Sequence, residues 1–125
     1  MSRWFIIFGA LNGFLSVALG AFAAHGLKAR VTPELLETFQ TGARYEMYHG
    51  LALILVGVLL RLFPEQGLLN GAGWAFLTGI IIFCGSLYLI VFTGVRSFGA
   101  LAPVGGLSFM AGWVLLLIAF IRLRG

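Results

Sequence analysis

The chain has few charged residues and lacks much of the chemistry that soluble enzymes use. Of its 125 residues, 10% are charged and 61% are hydrophobic. It has no aspartate, so a Ser-His-Asp triad is impossible. Its single cysteine, Cys84, can form no intramolecular disulfide and lacks a second sulfur for a zinc site. The composition excludes a soluble domain of this size.

Basic residues outnumber acidic ones, which gives a net charge of +4, but they are scattered. No basic cluster could follow a phosphate backbone, so we expect no nucleic-acid partner. These basic residues divide evenly between the two faces of the predicted membrane bundle: side A, which has both termini, and side B, which has the connections after the first and third spans. Side A has Arg3, Arg61, Arg122 and Arg124, and side B has Lys28, Arg30, Arg44 and Arg96. The charge bias therefore sets no orientation. The free amino terminus favours side A in the cytoplasm.

Long apolar runs account for most of the chain. Each is close to the ~20 residues that a helix needs to cross the hydrocarbon of a bilayer. We predict an all-α integral membrane four-helix bundle, a single domain over residues 1–125, with spans at about 4–24, 43–63, 74–93 and 101–121. An even number of spans puts both termini on one face, side A. The connections after the first and third spans lie on the other face, side B.

An amphipathic helix is predicted before the second span, at about 33–43. Thr32, Pro33 and Glu34 supply a capping hydroxyl, a proline at the first helical position and an acid in the first turn. Continued to Phe63, this helix would be about 45 Å long, which exceeds the hydrocarbon thickness. We therefore expect either a bend near Gly42 or a helix that projects past side B.

Small residues recur at helical spacing in every span, and the chain contains 18 glycines. In lipid, small residues let helix backbones approach closely. The stripes, such as Gly9, Gly13, Ser16 and Gly20 in the first span, predict a tightly packed bundle. They also favour a homo-oligomer or a membrane-protein partner, besides membrane lipid. The polar core residues of this bundle are predicted to be Asn12, Ser86 and Ser108, with Asn12 bonded to Ser86 or to a backbone carbonyl.

The candidate site lies between the two histidines, His25 and His49. The apolar part of the second span, from Leu51 to Leu60, covers only about 15 Å, so the helix must draw in residues from Ala43 onward. This places His49 inside the hydrocarbon boundary at side B, with Glu46 close to that boundary. His25, after the first span, reaches the same face. The tyrosines Tyr45, Tyr48 and Tyr88 are predicted to lie at headgroup depth there.

This constellation admits three interpretations. Glu46 and His49 form a Glu-x-x-His pair, and with His25 they could hold a metal ion, or the two histidines could hold a haem. Alternatively, Glu46 is neutralised by Arg44 or Arg96 and the histidines cross-link helices. In the third interpretation, the acid and imidazoles form a vestibule for an ion or small solute.

Several segments resemble the YgdD-like family of small bacterial inner-membrane proteins. These segments are GAFAAH at 20–25, QTG at 40–42, GSLY at 85–88 and PVGG at 103–106. The resemblance implies a multi-pass protein of the bacterial inner membrane with four helices and no assigned reaction, cofactor or substrate. Because the family commonly has glutamine where this chain has Glu46, the resemblance favours His25, Gln40, Tyr45 and His49 as a hydrogen-bonded constellation. It disfavours a metal site.

From these observations we predict a non-enzymatic structural or accessory component of the plasma membrane, without cofactor or catalytic residues. The alternative is a component of a small-solute or ion permease. Its vestibule at side B would be formed by His25, Tyr45, Glu46, His49 and Arg96. Binding of metal or haem by His25 and His49 is a second alternative.

Overall fold

The computed structural model describes residues 1–123, and Arg124, assigned above to side A, lies outside them. Helix α1 covers Ser2–His25, α2 Pro33–Leu62, α3 Gly67–Gly79, α4 Gly85–Thr93 and α5 Ala102–Ile121. A π-helical turn, Ile80–Cys84, joins α3 to α4, and 3-10 turns at Leu27–Ala29 and Arg96–Ala100 precede α2 and α5. Four helical stretches are long and apolar enough to cross a membrane. The predicted all-α membrane bundle is confirmed.

Helix α2 begins as predicted and continues without a break to Leu62. The Thr32 hydroxyl accepts a 3.2 Å hydrogen bond from the backbone N–H of Leu35, which satisfies one of the free donors at the helix start. The helix is not interrupted at Gly42. A Cβ at Gly42 would lie 2.8 Å from Cε1 of Tyr88, so this glycine allows close packing of that ring.

The first turns of α2 pack on the end of α1. The rings of Phe22 and Phe39 lie with their centroids 6.0 Å apart. Phe39 is fully buried, in a small cluster with Ala23, Leu27 and Val91. The amphipathic segment is therefore the beginning of the second membrane helix, and it is covered on one side by the first.

Helix α3 begins at Gly67 instead of the predicted Trp74. Asn70 and several glycines lower the hydropathy of this segment, so the apolar run by itself indicates a later start. Leu69 is nevertheless fully buried, and a side chain at Gly73 would collide with the ring of Phe5. Packing against α2 and α5, and against Phe5 of α1, thus extends the third span toward side A.

Glycines mark the points where helices approach most closely. A Cβ at Gly9 would lie 2.5 Å from the carbonyl oxygen of Gly50, where α1 crosses α2. Between α5 and the third span, the ring of Phe109 covers Gly79 in the same way. Gly13 belongs to the stripe predicted for the first span, yet a Cβ there would meet nothing within 4 Å. Gly13 meets α2 only through its backbone, because a Cβ at Gly50 would lie 3.3 Å from the nitrogen of Gly13.

Candidate functional site at the middle of the bundle

Glu46 lies at mid-height of the bundle. Along α2 it is located between Ala43, whose carbonyl accepts a 2.6 Å hydrogen bond from Ser16, and Gly50, which contacts Gly9. Ser16 and Gly9 flank the middle of α1, and the middle of a helix that crosses a bilayer lies in the hydrocarbon core. The predicted position of Glu46 near side B is wrong, because it was measured from the apolar run of α2 alone and not from the pairing with α1.

The partner of Glu46 is a tyrosine from the third span. Glu46 is 4% exposed, and its Oε1 accepts a 2.8 Å hydrogen bond from the hydroxyl of Tyr88. This bond ties α2 to α4. Tyr88 also packs on Phe39, with ring centroids 5.0 Å apart. Its role inside the bundle replaces the predicted one as a headgroup anchor, whereas Tyr48 is 53% exposed.

The arginines predicted to neutralise Glu46 pair with other acids. Arg44 lies 3.0 Å from Oε1 of Glu37, and Arg96 lies 3.7 Å from Oε1 of Glu34. Both acids precede Glu46 on α2, toward side B. Long basic side chains direct their charge toward the headgroups, which explains the choice of partner. The predicted arginine partner of Glu46 is therefore wrong, and Arg96 is not part of this site.

His49 is held on three sides. Its Nδ1 lies 2.9 Å from the carbonyl oxygen of Tyr45, and its Nε2 lies 3.1 Å from the indole Nε1 of Trp113. Its ring stacks on Phe109 at a centroid distance of 3.6 Å. A carbonyl only accepts and an indole N–H only donates, so these partners require the neutral tautomer with the proton on Nδ1. His49 thereby links α2 to α5.

His25 lies far from this site. It is the last residue of α1 and is exposed. Because Phe22 packs on Phe39, His25 lies beside the first turns of α2. At 1.5 Å per residue, this puts it roughly 20 Å from His49 along the bundle axis.

The two histidines therefore cannot ligate one metal ion or one haem together, and that alternative is wrong. Both ring nitrogens of His49 are already hydrogen-bonded. Over residues 1–123, no three His, Cys, Asp or Glu side chains come close enough to hold a metal ion. The Glu-x-x-His spacing in α2 instead serves two separate contacts, one to α4 and one to α5.

Gln40 belongs to a different surface. It lines an open groove of about 430 Å³ between α1 and α2, together with Ser16 and Arg44. Its side chain makes no hydrogen bond to any of the described residues. The predicted constellation therefore divides into two pairs, Glu46 with Tyr88 and Tyr45 with His49, and His25, Gln40 and Arg96 join neither pair.

The predicted polar core residues bond mainly to backbone carbonyls. The amide of Asn12 donates to Phe8 at 2.8 Å, within its own helix, and not to Ser86. Ser86 donates to Phe83 at 2.8 Å in the same way, whereas Ser108 donates across helices to Ala75 at 2.7 Å. Only the Ser108 bond therefore links two spans.

Sequence reasoning missed Trp113 and Ser16 as cross-linking residues. Trp113 lies near the middle of α5, unlike Trp4 and Trp74, which lie toward helix ends on side A. An indole N–H within hydrocarbon requires an acceptor, so a tryptophan in mid-span indicates an interhelical bond. The serine carried no such signal, because a serine in a membrane helix often bonds to its own backbone.

A groove of about 340 Å³ leads to Glu46 between α1 and the third span. Asn12, Leu15 and Leu19 line it on α1, and Tyr88 lines it on α4. The π-helical turn contributes the remaining wall, where the N–H of Gly85 bonds to the carbonyl of Ile80. Such turns occur rarely and are frequent at functional sites.

Comparison with known proteins agrees with this architecture. The family described as "Protein of unknown function (DUF423)" matches residues 19–106. The chain belongs to the DUF423 family. A UPF0382 membrane protein of Staphylococcus aureus is 42% identical over 123 residues, covering 98% of this chain and 99% of the relative. YwdK, a UPF0382 membrane protein of Bacillus subtilis, is 40% identical over 118 residues, 94% of this chain and 96% of the relative. No solved structure matches.

These DUF423 relatives match almost from end to end, and each is called a membrane protein. Together with four helices of sufficient length and hydropathy, they identify the chain as an integral membrane protein. Neither the family description nor the relatives' names refer to a reaction or a substrate.

Proposed function

We propose that the protein is a non-enzymatic structural or accessory component of the bacterial inner membrane. The observation that carries this proposal is the environment of His49. Both of its ring nitrogens are hydrogen-bonded, and Phe109 covers one ring face at a centroid distance of 3.6 Å. A group so enclosed holds helices together. It has no free lone pair with which to accept a proton from a substrate.

The serines of the core support a role without catalysis. The hydroxyls of Ser16, Ser86 and Ser108 each donate to a backbone carbonyl, at 2.6 to 2.8 Å. A nucleophilic serine would instead donate to a general base. In the described part of the chain, these serines have no imidazole or carboxylate as hydrogen-bond partner.

A flux measurement tests the proposal. The purified chain would be reconstituted in liposomes, with internal pH followed by a dye under an imposed proton gradient and under K⁺ and Na⁺ gradients. We expect the same leak rates as in protein-free liposomes. In parallel, His49→Phe, which keeps a ring against Phe109 but removes both hydrogen bonds, should lower the stability of the bundle to unfolding by SDS. A protein-dependent flux would contradict the proposal.

A permease component is the second candidate, because one observation favours it. Glu46 and Asn12 line a groove at mid-height, and an acid at this depth is typical of ion pathways. In this case, proteoliposomes would show a flux that Glu46→Gln abolishes while the unfolding curve stays unchanged. The same flux assay therefore separates the two candidates.

For the membrane topology, we propose that both termini face the cytoplasm. For the family, we propose that it is the YgdD-like one. Four spans place both ends on the same side, and a free amino terminus favours the cytoplasmic side. Fusion of alkaline phosphatase, which is active only outside the cytoplasm, to the carboxyl terminus should give no activity. Fusion within the Arg96–Ala100 turn should give an active enzyme.

For partners, we propose membrane lipid and either a second copy or another membrane protein. Gly13 and Gly20 support this, because a Cβ at either would meet nothing within 4 Å and both therefore leave room beside α1. Sedimentation equilibrium in detergent, comparing the wild type with Gly13→Leu, would show whether this face mediates self-association. A monomer at all concentrations would leave another membrane protein as the partner to be sought.

A further inference from the structure

The groove between α1 and the third span ends in two buried polar groups with hydrogen-bonding capacity to spare. Glu46 is 4% exposed and Asn12 is 8% exposed, and both line the groove. Tyr88 occupies Oε1 of Glu46, and the Asn12 amide nitrogen donates to Phe8. Among residues 1–123, Oε2 of Glu46 and Oδ1 of Asn12 make no hydrogen bond. Both oxygens therefore remain available to a ligand.

No basic side chain among the described residues pairs with the carboxyl at the base of this groove. Arg44 and Arg96 pair with Glu37 and Glu34, both toward side B. The remaining lining of the groove contributes no cation, since Cys84 and Tyr88 are its only other ionisable groups. A carboxylate alone in hydrocarbon is costly, so a cation that reaches it gains a strong attraction.

The walls of the groove select for an apolar body. Leu15 and Leu19 form one wall, and Ile80 and Ile81 of the π-helical turn form the other. A hydrated metal ion would lose its water against such walls without enough oxygen ligands to replace it. An organic cation with apolar substituents loses little hydration and packs against them. The volume of about 340 Å³ falls within the range of small-molecule sites.

We infer that this groove binds a lipophilic organic cation, with Glu46 as its counter-charge and Asn12 as a second oxygen facing it. The inference goes beyond the proposed function and does not depend on it, because a cation can bind here without being conducted. Gly85 lines the groove and leaves room for the ligand, since a Cβ at this position would meet nothing within 4 Å.

Equilibrium dialysis tests the inference with tetraphenylphosphonium on the full chain in phosphatidylcholine nanodiscs, after subtraction of binding to empty nanodiscs. We expect saturable binding of one cation per chain. Tetraphenylborate, which has the same shape and the opposite charge, should show no saturable binding. Absence of a saturable component for the cation, or equal binding of the anion, would overturn the inference, and the groove would then accommodate lipid or another protein chain.

Two pairs of variants locate the site. Glu46→Gln keeps an oxygen for Tyr88 but removes the charge, and it should weaken binding by at least about thirtyfold. Glu65→Gln, at an exposed position between α2 and α3, should leave the affinity for tetraphenylphosphonium unchanged. Unaltered affinity in Glu46→Gln would refute the role of this carboxyl.

If Glu46→Gln fails to fold, a second pair of variants still tests whether the cation binds in the groove. Gly85→Leu adds a side chain at the lining of the groove, where its Cβ would meet no atom within 4 Å, and it should weaken binding by at least about tenfold. Gly106→Leu adds the same side chain in open space on α5 and is the matched control. Equal affinity in these two variants would place the cation elsewhere and overturn the inference. The liposome flux assay reports separately on the proposed function.

Discussion

The hydroxyl of Tyr88 donates a 2.8 Å hydrogen bond to Oε1 of Glu46 across 42 positions of sequence. This bond joins the second span to the third at a depth where no water is available to replace it. We predict that Tyr88→Phe lowers the free energy of unfolding by about 1 kcal/mol, because it leaves the carboxyl oxygen without its donor. Titration with SDS measures the change. Tyr48→Phe, at an exposed tyrosine, is the control, and an equal loss in both variants would contradict the role of the bond.

The contact between Trp113 and His49 predicts a second, separate effect. Trp113→Phe keeps an aromatic ring in place but removes the N–H that donates to Nε2 of His49, so we expect a loss of about 1 kcal/mol. Trp74→Phe is the control, because Trp74 is 48% exposed and Trp113 44% exposed, so exposure is matched. If both variants unfold at the same SDS fraction as the wild type, the bond contributes nothing to stability.

Gly9 and Gly13 lie one helical turn apart on α1 and predict opposite results. Gly9→Ala should destabilise the bundle by about 1–3 kcal/mol, because the added methyl collides with the backbone of Gly50 and Ile54. Gly13→Ala meets no neighbour and should leave stability unchanged or slightly raised. Unfolding curves of the two variants test this. Equal destabilisation would show that the helix pairing differs from the one described.

Replacement of His25 should have little effect on the stability of the bundle. His25 is exposed at the end of α1, so His25→Ala should change the unfolding free energy by less than about 0.5 kcal/mol. Addition of Zn²⁺ or haem should shift the unfolding of the wild type and of this variant equally. A ligand-induced stabilisation that requires both His25 and His49 would restore the joint site that their separation excludes.

The number of spans and their helical structure could be predicted from the sequence because apolar runs of bilayer length have few other uses. The continuous helix over the polar segment before Leu51 could be predicted in outline, since a span of bilayer length needs more residues than the apolar run supplies. The start of α3 could not, because Asn70 and its neighbouring glycines reduce hydropathy. The burial of Leu69 and the close approach of Gly73 to Phe5 show that this segment is packed.

The site was harder to predict than the fold. Most residue types in the site were predicted correctly, but their depth in the bundle and their bonding partners depend on how α1 lies against α2. Hydropathy does not encode that alignment. Glu46 has Arg44 two residues before it, yet its bond goes to Tyr88 on another span. The π-helical turn that lines the groove likewise has no clear signature in a uniformly apolar segment.

The protonation of His49 tests the account most directly, because the proposed function depends on both of its nitrogens being engaged within the bundle. Nitrogen-15 solid-state NMR of the His25→Asn variant in liposomes, at neutral pH, would report on this one imidazole. We predict the neutral tautomer protonated on Nδ1, with Nε2 accepting from Trp113. An imidazolium, or a ring protonated on Nε2, would contradict the account, since either would require His49 to face a different partner.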